Sequence, residues 1–358
     1  EKAHCAASTG FFLALGLGGV IAAGGLLALQ PLMRLLGSTD TILPEAEAYA
    51  VPILLAAPFQ CSSLALAQCL RAEGKSKESM AGQLAGGLLN IVLDPLFIYT
   101  LGMGIRGAGA ATALSQVVGG TVPLFYFARK NSSILRLGRT SFDGRAILKA
   151  CTNGSSEFMS NVSMNIVGML YNTQLLKFAG ENGVAAYGVM MYVSMIFSAA
   201  FIGYSIGTAP VVSYHDGARN FPELKSLLRK SLVVIGVFGV CMVASAELLS
   251  SRLARMFVGY DAALMELTVS GFQIFALSFI FMGFAIYGSS FFTALNDGLT
   301  SAAISFLRTL VFQTAVVLVL PALMGTDGIW LAIVVAELLA LAVSAWFLWR
   351  KRGKYRYA

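Results

Sequence analysis

The feature that most constrains this chain is a series of apolar stretches long enough to cross a lipid bilayer. Ten of them recur in 358 residues: 8–29, 48–70, 80–102, 107–128, 148–178, 184–210, 228–250, 265–293, 299–322 and 328–350. A hydrocarbon layer about 30 Å thick takes about 20 residues of helix to span. Inside it each backbone N–H and C=O must bond within the protein, so runs of this length are helical. Composition agrees. Of the residues, 57% are hydrophobic and 12% charged, against about 25% charged in a soluble domain. The expected class is an all-α integral membrane protein. The two longest spans, 148–178 and 265–293, are expected to tilt or to protrude.

An even number of spans puts both termini on one side. With the termini in the cytoplasm, the outer side holds only Arg34, Arg106, Lys177, Arg252 and Arg255, and Arg308 sits within a span. The other nineteen of the 25 Lys and Arg lie inside. This is the positive-inside bias, and it accounts for the net charge of +7 without a nucleic-acid partner. The five cysteines form no CxxC pair and the two histidines, His4 and His215, lie in connectors, which leaves no zinc site and no cofactor to expect. There is no H-E-x-x-H and no nucleophile–base grouping, and the glycines of 102–109 follow no strand. An enzyme is therefore not expected.

The longest and most basic connector, 129–147, reads as a cytoplasmic linker between two lobes. A shift of 221 residues superimposes parts of the two halves: Arg34 on Arg255, Asp40 on Asp261, Glu45 on Glu266, Met103-Gly104 on Met324-Gly325 and Gly107 on Gly328. Matched spans run in the same direction, so the repeats are parallel, related by an axis along the membrane normal. The expected domains are an incomplete first lobe of four helices at 1–128, a second lobe of six at 148–350 and a basic cytoplasmic tail at 351–358. Residue 1 corresponds to residue 222, so two helices are expected before Glu1, making ten visible spans of twelve in two six-helix lobes.

The segment Asn90-Ile-Val-Leu-Asp94-Pro95, followed by the glycine-rich turn Gly102-Met-Gly104-Ile-Arg-Gly107 and a small-residue helix ending Ser115-Gln116, resembles the MATE (multidrug and toxic compound extrusion) transporters of bacteria. Leu70-Arg71-Ala-Glu-Gly74-Lys75 resembles a turn of that family. So do Gly207-Thr-Ala-Pro210 and Gly217-Ala-Arg219-Asn220 in the second half. The resemblance implies efflux of small cationic drugs or metabolites in exchange for sodium ions or protons. It implies a cavity between the lobes that opens alternately to each face, in a monomer in the bacterial inner membrane. The alternative within the same superfamily is a lipid-linked oligosaccharide flippase, whose polyanionic cargo calls for several deep Arg or Lys.

Carboxylates within spans cost about 2.5–3.5 kcal/mol or more and mark candidate coupling sites. Glu157 lies about ten residues into its span with Asn161 and Asn165 one and two turns on, sharing one face. Its position resembles the acidic residue of the family's seventh helix. Asp94, with Asn90 a turn before and Pro95 after, reads either as an ion or proton site at a broken helix or as a carboxylate that satisfies kinked backbone. Glu157 and Asp94 are the expected coupling residues. Asn90, Asn161, Asn165, Gln60, Met191, Tyr287 and Gln273 are the expected cavity residues, and Pro58 and Pro95 the expected kinks. Arg308 is expected to snorkel or to pair with a cytoplasmic acid, and Glu337, equivalent to Gln116 by the repeat offset, to be a packing residue.

Overall fold

The computed structural model describes residues 2–35, 40, 43–129 and 144–357. The expected linker therefore lies outside the described residues from 130 to 143. Twelve α-helices follow in order: α1 Lys2–Leu27, α2 Leu29–Leu35, α3 Leu43–Ala72, α4 Ser76–Pro95, α5 Gly104–Ala128, α6 Gly144–Gly217, α7 Phe221–Val258, α8 Ala262–Ala276, α9 Ser278–Ala294, α10 Gly298–Phe306, α11 Gln313–Met324 and α12 Thr326–Tyr355. Two π-helical turns, Leu96–Thr100 and Leu307–Phe312, continue α4 and join α10 to α11.

Eight helical stretches are long and apolar enough to cross a membrane, and α8 with α9 makes a ninth, bent by 46°. One of the eight, within α6, is really two. Its 74 residues are interrupted at Gly180, whose φ of +65° and ψ of −156° are non-helical and lie where only glycine is unstrained. All ten expected spans thus have a helix. The span at 265–293 differs from expectation: a bend at Leu277 replaces a single tilted rod. α3 runs on through Pro52 and Pro58.

The chain divides into two compact units, residues 1–147 and 148–358. In the first, α3 packs on α1 and α5, and α4 on α5. In the second, α7 packs on α8 and α9, these on α12, and α11 on α12. At an offset of 221 residues this is the same packing scheme. The glycine at the crossing is the same position at that offset, and the backbone it meets lies one residue further along in the second unit. A methyl on Gly18 of α1 would lie 2.6 Å from Pro58 Cα and 2.9 Å from Ala57 O. One on Gly239 of α7 would lie 3.0 Å from Phe279 O and 3.2 Å from Ile280 Cα. Only a bare Cα lets two backbones meet this closely, the usual device where lipid offers no hydrophobic drive to association. A further crossing differs between the units. A methyl on Gly109 of α5 would lie 2.6 Å from the Tyr49 carbonyl oxygen of α3, whereas the equivalent position on α12 is Trp330, whose ring would lie 2.8 Å from a methyl on Gly271 of α8.

Asp297 fastens the far end of α12. Its side chain caps α10, accepting from Thr300 N at 3.3 Å, and its other oxygen takes Lys351 Nζ at 2.6 Å and Tyr355 Oη at 2.8 Å. Burial by itself would raise this carboxyl. The bonds from Lys351, Tyr355 and Thr300 outweigh it and hold the group down at about 2. A depressed folded value adds stability above the unfolded value near 4 and loses it as pH falls towards 2.

Two outcomes are expected. Gly18→Ala and Gly239→Ala should each cost about 1–3 kcal/mol in detergent unfolding, while Gly19→Ala, with nothing within 4 Å, should be neutral. Acid unfolding between pH 4 and pH 2 should be shallower in Asp297→Asn than in the parent, measured by far-ultraviolet circular dichroism.

Candidate functional site

The first unit brings two predicted residues together. Asn90 and Asp94 are one turn apart on α4, both half-buried, and Asn90 Nδ2 points to Asp94 Oδ1 at 3.4 Å. Pro95 has no N–H to give the carbonyl of Ile91, and the chain answers by widening. The next five residues wind as a π-turn closed by Leu101 N on Leu96 O at 2.9 Å. Gly102 (φ +63°) and Gly104 (φ +56°) then turn the chain into α5. π-turns within helices are frequent at functional sites. Asp94 has no ion-pair partner among the described residues.

In the second unit Glu157, Asn161 and Asn165 share an exposed face of α6, as their spacing requires. The amides do not hold the carboxylate. Asn161 Nδ2 donates to Glu157 O at 2.8 Å and Asn165 Nδ2 to Asn161 O at 3.0 Å. Each amide thus returns to the backbone one turn earlier, which leaves the Glu157 carboxylate and the amide oxygens open. Gln273 is exposed on α8 and Gln60 half-buried on α3. Met191 packs against the larger apolar core of this unit. Tyr287 is 1% exposed inside the smaller core, between Tyr204 and Phe291, so it lines no open surface.

Sequence reasoning missed one pairing. Arg308, in the second π-turn, gives its Nε to both oxygens of Glu337 on α12, at 2.8 and 3.1 Å. The two side chains are 17% and 3% exposed. Arg308 therefore pairs with the next span and not with a cytoplasmic acid. Five residues on, Gln313 Oε1 accepts from Tyr171 Oη of α6 at 2.8 Å, and Tyr171 stacks on Tyr187. The available signal was two lone opposite charges in consecutive antiparallel spans.

Helices long and apolar enough to cross a membrane, in two units of one packing scheme, belong to the class of membrane transporters. The MatE family profile matches residues 1–96 and 158–319, and the chain belongs to that family, whose members are transporters and not enzymes. The multidrug export protein MepA of Staphylococcus haemolyticus is 25% identical over 357 residues, 99% of this chain and 77% of that one. A solved structure described as the outward-facing conformation of a multidrug resistance MATE family transporter is 26% identical, with a TM-score of 0.93 over 99% of this chain and 80% of its own. A transporter from Pyrococcus furiosus, described as having a binding pocket of reverse polarity, is 26% identical with a TM-score of 0.90, over 99% of this chain and 78% of its own.

Breaking the buried pair should expose its cost. Glu337→Ala leaves Arg308 without a counter-charge and should lose about 3–5 kcal/mol of stability. Arg308→Met with Glu337→Leu should recover most of it in the same thermal unfolding assay.

Proposed function

We propose that this transporter exports small cationic compounds from the bacterial cytoplasm across the inner membrane, with both termini cytoplasmic, in exchange for sodium ions or protons. The observation that carries the reading is the pair of carboxylates, Asp94 and Glu157, that lie in spans with no ion-pair partner among the described residues. A carboxylate can hold a proton, a sodium ion or an organic cation, one at a time. Competition for it couples the two fluxes if the ion favours one conformation and the substrate the other. Asn90 supplies an amide beside Asp94, and the free amide oxygens of Asn161 and Asn165 are further ligands for sodium. Similarity to multidrug export proteins supports the substrate class.

A flippase for lipid-linked oligosaccharides would need free cations at depth to meet a pyrophosphate. Arg308, the arginine within a predicted span, is neutralised by Glu337, which favours the cation reading. In proteoliposomes with an imposed sodium or proton gradient, Asp94→Asn and Glu157→Gln should each slow ion-driven efflux of a fluorescent cation by about tenfold or more, while downhill binding is retained. Gradient-driven efflux at the parent rate in both variants would overturn the coupling role.

A further inference from the structure

The first turns of α7 carry a feature that cation export does not use. Lys225 and Arg229 lie one turn apart on one stripe of the helix, and Lys230 lies beside them. They line a groove of about 620 Å³ together with Pro222, Ser226, Val233 and Val234. A second, open hollow of about 380 Å³ shares Lys225, Arg229 and Val233 and is lined on another side by Tyr357. None of the three cations has an acidic partner among the described residues. Like charges at i and i+4 repel, so the arrangement costs the helix free energy. An anion seated in the groove would relieve it.

What lies along the helix says which anion. Below the cations the stripe becomes wholly apolar and stays uncovered: Val233 is 60% exposed, Val237 55% and Val240 59%. Charge at one end and bare aliphatic surface immediately below it, over a run of sixteen residues or about 24 Å, match a phosphate head group with its acyl chain and do not match a free ion. We propose that Lys225, Arg229 and Lys230 bind the phosphodiester of an anionic phospholipid whose chain lies along Val233–Val240. The site is independent of the coupling carboxylates.

The test uses the purified protein in neutral detergent with phosphatidylglycerol, phosphatidylcholine or inorganic phosphate added, read by thermal shift and by native mass spectrometry. Phosphatidylglycerol should raise the melting temperature and leave one retained adduct, whereas phosphatidylcholine and inorganic phosphate should do neither. Lys225→Gln, Arg229→Gln and Lys230→Gln together should weaken the phosphatidylglycerol response about tenfold or more. Lys225→Arg with Lys230→Arg should keep it, and so should Arg352→Gln with Lys354→Gln on the basic tail. An equal response to phosphatidylcholine, an equal shift with inorganic phosphate, or an undiminished response in the triple variant would each overturn the proposal. Loss of the response in the tail variant to the same degree would overturn it too, because the effect would then be bulk charge.

Discussion

A peptide group in hydrocarbon has no water to bond, and this structure is arranged around that fact. Helices α1 to α12 satisfy their backbones internally, and the departures from α-helix within the spans are few and compensated. Pro95 is followed by a π-turn that keeps bonding, Arg308 sits in a second one, and the bend at Leu277 holds its amide on Ile274 O. With the backbone self-contained and lipid as apolar as leucine, helices associate by close fit. The glycine crossings at Gly18 and Gly239 are therefore fundamental to each unit, since they fix which helices touch.

The repeated packing also shows how much two halves can diverge. Gly109 meets bare backbone at Tyr49, whereas its equivalent, Trp330, sits where a glycine, Gly271, leaves room for its ring. A close approach of backbones in one unit is replaced by a large side chain in the other. Charge diverged further. The position equivalent to Gln116 holds Glu337, and the one equivalent to Gly87 holds Arg308, so one unit has an internal ion pair where the other has an amide and a glycine.

Span number and the repeat offset were legible in the sequence because both rest on long-range periodicity and on the cost of charge in lipid, which need no knowledge of packing. The Asn90–Asp94 pair was legible because four residues make one turn. The shared face of Glu157, Asn161 and Asn165 was legible from their spacing, but the bonds of the two amides to the backbone one turn back were not, because such a carbonyl is always in reach and leaves no trace in composition. The Arg308–Glu337 contact joins spans 29 residues apart and depends on a π-turn that no residue pattern announces. The bend at Leu277 was hidden for the same reason: it involves neither proline nor glycine. Tyr287 looked like a pocket residue from its neighbours, and only three-dimensional packing puts it inside a core.

Gly180 decides whether α6 fits a membrane at all. Straight, its residues would form a rod of about 110 Å, more than three times the hydrocarbon thickness. The non-helical glycine inside it divides that rod into two arms, 144–179 and 181–217, each long enough to cross once. A side chain added there would meet no neighbour within 4 Å, so the position asks for glycine through its backbone angles and not through lack of space.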